Sequence, residues 1–197
     1  IENYLTARMF MYWQVYFHKT SAIAEHLLVK VLSRAKNLIA EGKKVEISGN
    51  LEYFLYKNNF EEPTQEDIRR FTELDDTDVL QAIKLWCKSE DFVLSYLCRT
   101  IIERKFPKII SLSKPFSQDF IKEKIDATNR YFGIDNGNEI VYEIKRSLLP
   151  YDKESQPIVL IRKNAEKITL ENSENQILSA NISEWATQYI LAFPREI

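Results

Sequence analysis

Residues 7–20 read Ala-Arg-Met-Phe-Met-Tyr-Trp-Gln-Val-Tyr-Phe-His-Lys-Thr, and they hold the groups best suited to chemistry. Arg8, Tyr12 and Tyr16 stand at i, i+4 and i+8, so on an α-helix turning about 100° per residue they share one stripe. His18 falls about 200° round from Tyr16, with Lys19 beside it. A guanidinium matches phosphate oxygens with its fork and stays charged, while a lysine offers a point charge. One arginine with two phenols on one side, and a His-Lys pair on the other, suit two anion sites on a single helix. Packing is the competing use, since aromatics at helical spacing commonly fill a core. Phe10, Trp13 and Phe17 add bulk on the other faces, so this helix carries large side chains nearly all round. Such a helix is buried or sandwiched, and the polar groups kept within it need a partner or a ligand.

Other chemistries are poorly served. The two histidines, His18 and His26, lie eight apart without carboxylates in metal-ligand spacing, so neither a metal site nor a catalytic group is read in this segment. Glu61-Glu62 and Asp75-Asp76 suit loop solvation or helix capping better than acid–base work. Four glycines, none in a phosphate-loop pattern, exclude a P-loop or dinucleotide fold. Lys43-Lys44, Arg69-Arg70 and Arg104-Lys105 are weaker candidates for phosphate contacts. Arg34 and Lys36 read as a solvated helix face, and Lys145-Arg146 and Arg162-Lys163 as a basic edge at strand ends. Trp13, Trp86 and Trp185 read as packing anchors. Cys87 and Cys98 lack CxxC spacing and read as reduced structural thiols. A formal charge of −2 disfavours a nucleic-acid coat. No apolar run approaches the ~20 residues that cross a bilayer, and the expectation is a cytoplasmic protein without membrane contact.

The elements that would position these residues follow from periodicity. Glu2 to Glu41 contains neither Gly nor Pro and predicts one long helix ended by Gly42. Leu51–Tyr56 predicts a brief helix, and Pro63–Asp67 opens another. Asp75 or Asp76 should cap a helix through Trp86, and Ser89 one from Glu90 to about Lys105. After Pro107 the pattern changes. Lys108–Leu112 suits a strand, Ser117 caps a helix to about Tyr131, and Glu139–Arg146 alternates as a strand. Pro157–Arg162 and Lys167–Leu170 fit a hairpin, and Ile182–Phe193 suits a final helix. The expected fold is mainly α with a C-terminal α+β portion: a helical part over 1–106, then 107–197 with a four-stranded antiparallel sheet backed by helices.

The motif Arg-Met-x-Met-Tyr-x-x-Val-Tyr-x-His-Lys-Thr, followed by Ala24, Glu25 and Leu28, resembles the long helix of the HD-domain deoxynucleoside triphosphate triphosphohydrolases. The mammalian SAM-and-HD-domain enzyme and its bacterial relatives form that group. Phe71–Asp76 and Arg104-Lys105-Phe106-Pro107-Lys108 resemble later elements of the family. The resemblance implies that Arg8 contacts the terminal phosphates of a dNTP substrate and that Tyr16 lies near its sugar and base. Tyr12 stands where the mammalian type has histidine, and a phenol cannot serve as a near-neutral acid–base group. His18 and Lys19 match residues that hold the phosphates of a nucleotide effector at a subunit interface, which implies a homo-oligomer. The family's divalent metal is held by a His, a His-Asp pair and a further Asp ahead of this helix. No His-Asp dipeptide occurs here. The chain therefore reads as the C-terminal part of such an enzyme, inactive without its N-terminal HD segment. A non-catalytic helical module that docks a partner protein is the alternative. A single-strand nucleic-acid binder is a third, disfavoured by the acidic balance.

Overall fold

The structure, a computed structural model, describes residues 2–16, 18–58, 61–148, 157–169 and 186–197. It is mainly helical with small strand elements. In chain order these are α1 (Glu2–Met11), a π-helical turn (Tyr12–Tyr16), α2 (Lys19–Ala40), α3 (Gly49–Tyr56), α4 (Gln65–Thr72), α5 (Asp76–Trp86) and α6 (Phe92–Ile102). Strand β1 (Lys108–Leu112), helix α7 (Gln118–Phe132), a 3-10 turn (Gly137–Glu139), β2 (Tyr142–Leu148), β3 (Val159–Ile161), β4 (Lys167–Thr169) and β5 (Ala186–Phe193) follow among the described residues. Two compact units divide the chain. One gathers residues 1–22, 110–117 and 143–191, the other residues 23–109, 118–142 and 192–197. No helix among the described residues is long and apolar enough to cross a membrane.

The second unit is organised on α2. Ile23, Leu27, Val31, Ala35 and Leu38 recur at three- and four-residue spacing and are at most 2% exposed. This is the apolar stripe of an amphipathic helix. Ala82, Ile83 and Trp86 of α5 and Val93, Leu94, Leu97 and Cys98 of α6 are buried in the same unit. Each large side chain so buried contributes about 1.5–3 kcal/mol. The Trp86 indole N–H donates to the Glu46 carbonyl at 2.7 Å, so its one polar group is satisfied.

A polar stripe runs beside the apolar one. His26, Lys30 and Arg34 are i, i+4 and i+8 on α2, and each meets a later element. His26 packs on the Tyr142 ring at 4.9 Å. Lys30 approaches Glu139 at 3.8 Å and lies over the same ring at 5.4 Å. Arg34 grips Asp91 with two parallel hydrogen bonds, Nε–Oδ1 at 3.1 Å and Nη2–Oδ2 at 2.6 Å. Lys36 donates to the Lys57 carbonyl at 3.2 Å. The expectation that Arg34 and Lys36 form a solvated face is therefore corrected. Their long stems carry charge to partners brought in by α6 and by the end of α3.

Capping explains the helix starts. Thr64 and Asp67 form a reciprocal capping box on α4, and Asp75 with Asp78 another on α5. Tyr53 and Lys57 also converge on Asp67, and the Lys57 and Thr64 hydrogen bonds hold its carboxyl well below the usual range. On α6 the cap is Asp91, whose Oδ1 accepts from the Leu94 amide at 2.8 Å. Ser89 instead receives the Asp91 amide at 3.2 Å. The predicted cap is thus displaced by two residues, because the Asp91 carboxylate serves the helix and Arg34 together.

In the first unit β3 and β4 pair antiparallel, with Leu160 opposite Ile168. Ala165 turns the hairpin at φ +65°, in the left-handed region. The other strands form a sheet in the order β1–β5–β2. Lys145 lies over the Tyr189 ring at 5.9 Å and Ser147 meets Thr187 at 3.1 Å, so β2 and β5 run antiparallel. Among the described residues, the strands form a three-stranded sheet and a separate hairpin in place of the expected four-stranded sheet. The expected final helix is corrected as well: Ala186–Phe193 is the middle strand, while 182–185, with Trp185, lie outside the described residues. Ile190–Phe193 is buried throughout. A strand covered on both faces reads as a continuous apolar run, which periodicity cannot tell from a buried helix.

Two outcomes are expected. Arg34→Ala should lose about 2–3 kcal/mol in urea unfolding, since it strands a part-buried carboxylate, and Asp91→Asn should lose less because the cap survives. Burial, then Lys30, lowers the His26 pKa below 6.5. The unfolded chain then binds the proton more readily, so this contribution is complete above pH 6.5 and lost as pH falls through the folded value. His26→Leu should flatten that part of a melting-temperature profile between pH 5 and 8.

Candidate functional site

The residues that the sequence groups on one helix are distributed over three local structures. Arg8 lies in the last turn of α1 and is exposed. Tyr12 opens the π turn, Tyr16 closes it, and α2 starts afresh at Lys19. The expected unbroken helix over Glu2–Glu41 is therefore corrected. Its break is made by hydrogen bonding and needs no helix-breaking residue. The His18 amide bonds to the Val15 carbonyl at 3.4 Å, and the His18 carbonyl accepts the Ala22 amide at 3.2 Å. The His18 ring caps α2, its Nδ1 accepting the Thr20 amide at 3.3 Å.

This changes the geometry of the stripe. Arg8 and Tyr12 meet as the α-helical count requires, with Nη2 3.4 Å from the Tyr12 hydroxyl and the guanidinium 5.4 Å from the ring centroid. The Tyr4 phenol and then Tyr12 raise the Arg8 pKa further, so the charge on this exposed side chain is permanent. Tyr4 is one turn before Arg8, and i−4 spacing on α1 is the signal that identifies it as a third member. Beyond Tyr12 the count at 100° per residue loses phase, because a π turn closes its hydrogen bonds over five residues. The side chains of Trp13 and Tyr16 lie outside what the structure describes. His18 and Lys19 are both exposed at the start of α2. A cation at a helix N-terminus faces unbonded amides, an arrangement that suits an anion.

The secondary candidates separate by whether their charge is already used. Arg69 and Arg70 both bind Glu66, at 2.8 and 2.6 Å, and Arg69 also binds Glu73 at 2.7 Å. These contacts, Arg69 first, pull Glu66 down to about 2. Glu66 and Glu73 together balance that pair. Lys105 pairs with Glu103 at 2.8 Å. Lys43 pairs with Glu41 at 2.7 Å and, with Lys44 and Lys88, borders an open cleft of about 880 Å³ in the second unit. Glu46, Glu90 and Asp91 border it too, so its rim has no dominant sign. Burial pushes the thiols of Cys98 and Cys87 up, which leaves them protonated and inert. Among the described residues, no three His, Cys, Asp or Glu side chains gather as a metal ion would require.

No protein-family model matches the chain. It is 29% identical over 204 residues to YwfO, an uncharacterized protein of Bacillus subtilis (strain 168), covering 100% of this chain and 45% of that protein. A solved phosphohydrolase from Bacteroides thetaiotaomicron VPI-5482 matches with a TM-score of 0.87 and 32% identity, over 98% of this chain and 49% of its own. The chain spans about half the length of these relatives. At the level of a phosphohydrolase, the second comparison agrees with the resemblance carried by Arg8–Lys19.

The capping contact yields a separable expectation. His18→Ala should cost about 1 kcal/mol in thermal unfolding, and His18→Asn, a stronger cap, should recover at least that much. Equal losses in the two variants would show that the imidazole does not hold the helix start.

Proposed function

We propose that this chain is part of a metal-dependent, HD-type phosphohydrolase that converts a dNTP to deoxynucleoside and triphosphate. The observation that carries the reading is its agreement in fold and sequence with the Bacteroides phosphohydrolase over 98% of the chain at 32% identity. Arg8 supplies the matching chemistry. Water adds at the α-phosphorus and the bond to the 5′ oxygen breaks; the 5′ oxygen takes a proton and leaves as the deoxynucleoside, and the water oxygen stays on the triphosphate. Such reactions depend on positioned cations more than on covalent chemistry. Arg8 holds the terminal phosphates, steadied by Tyr12, while Tyr16 lies toward the sugar and base. His18 and Lys19 take the phosphates of an effector nucleotide at a contact between copies in a homo-oligomer. A divalent metal would serve as Lewis acid. In this reading its ligands are the family's HD residues, and the chain without them is inactive.

A helical interaction module is the second reading. It is favoured by one observation: Phe10, Met11 and Val15 are 53, 46 and 55% exposed. The deciding assay is triphosphate release from a panel of dNTPs by the polypeptide that carries this chain, with Mg²⁺ or Mn²⁺. Metal-dependent release that falls about 10²–10³-fold in Arg8→Ala supports the hydrolase. Absence of turnover with every dNTP, with or without added nucleotide effectors, moves the reading to the interaction module.

A further inference from the structure

The connection from α2 to α3 contains a short strand-like stretch that no other strand covers. Along it Lys44 is exposed, Val45 buried, Glu46 exposed, Ile47 half-buried and Ser48 exposed, the alternation of an extended chain with one face inward. Ser48 itself is extended, at φ −148° and ψ 167°. Among the described residues, the amides of Lys44, Val45 and Glu46 donate to no acceptor, whereas the Lys43 amide bonds to the Leu38 carbonyl at 2.9 Å. Of the three carbonyls only that of Glu46 is used, by the Trp86 indole at 2.7 Å, and it keeps a second lone pair. Lys44, Val45 and Glu46 also line the open cleft of about 880 Å³. A row of unused amides and carbonyls is a template for another strand.

The side chains select which strand. Lys44 and Glu46 make no ion pair among the described residues, unlike Lys43, which Glu41 holds at 2.7 Å. Laid antiparallel against itself about Val45, the sequence Lys-Val-Glu sets Lys44 opposite Glu46 and Glu46 opposite Lys44. A parallel copy in register would oppose like charges, which destabilises a strand pair. We propose that a second copy of this chain docks here, its Lys44–Glu46 stretch pairing antiparallel with this one about a two-fold axis at Val45. The symmetry makes each opposite-charge pair twice. The far wall of the cleft repeats the pattern with Lys88 and Glu90, which also lack an ion pair among the described residues. The rim therefore offers both signs to an approaching copy, without a net charge that would repel it. So short a contact holds two copies weakly by itself, and the association depends on concentration. None of Arg8, Tyr12, Tyr16, His18 or Lys19 takes part, so the pairing stands apart from the phosphohydrolase reading and from the effector contact proposed with it.

Sedimentation equilibrium of the polypeptide that carries this chain, without nucleotide, tests it. Lys44→Glu and Glu46→Lys each set like charges opposite one another twice, so each should raise the dissociation constant about tenfold or more and halve the copies per particle. The double variant reverses both signs, is self-complementary again, and should associate as the native chain does. An equimolar mixture of the two single variants should also recover association, because Glu-Val-Glu then faces Lys-Val-Lys. Lys44→Arg keeps the charge and should leave association unchanged. Both substituted side chains are exposed, and a urea midpoint reports that each variant is folded. Should Glu46→Lys fail to fold, Lys44→Glu against Lys44→Arg decides. A native chain that stays a single copy at every concentration overturns the proposal, and so do charge reversals without effect or a folded double variant that fails to recover. Since no substrate is present, absent triphosphate release would remove the phosphohydrolase reading and leave this result intact.

Discussion

The bidentate pair between Arg34 and Asp91 is the contact on which the second unit depends. Asp91 begins α6 by accepting the Leu94 amide and is held by the guanidinium of α2 at 2.6 Å. Burial alone would raise the Asp91 carboxyl. The Arg34 hydrogen bonds and the Leu94 amide outweigh it, and the net direction is down. A helix start is thereby pinned to a particular turn of another helix. The apolar faces around Val31, Ala35 and Leu38 then pack in one register. Hydrophobic burial supplies more free energy, but it is non-directional and would tolerate a slide. The ion pair would not.

The same helix shows how one sequence stretch can serve packing and chemistry by position. Its apolar stripe is consumed in the core, and the stripe beside it is consumed by His26, Lys30 and Arg34. Ahead of that, the exposed Arg8, His18 and Lys19 have no such tertiary pair among the described residues. Among the described residues, Arg8 bonds within α1 and the following turn, and His18 with Val15 and the start of α2. Side chains left in local contacts, near a π turn, differ in kind from Arg34. A π turn inside a helix is costly enough that it commonly marks a functional position.

Much of the fold was legible from local chemistry. Apolar spacing in α2, the Asp75 cap, the Gly42 stop and the hairpin flanking Lys163–Glu166 are written in residues a few positions apart, where the interactions themselves are local. The weaker basic pairs were less legible, because charge along a sequence does not say whether an acid one turn away already neutralises it, as Glu66 and Glu73 together do for Arg69 and Arg70. Tyr4 was within reach, since its i−4 spacing from Arg8 is visible in the sequence.

By itself the sequence determined where most helices begin and the resemblance to a phosphohydrolase that the Bacteroides structure matches. Tertiary structure decided the rest. It made Ala186–Phe193 a central strand, because burial on both faces erases the periodicity that separates strand from helix. It turned Arg34 and Lys36 inward, because their partners lie far along the chain. It also broke the helix at His18, where the competition is between backbone hydrogen bonds that every residue can make and no side-chain pattern records the outcome.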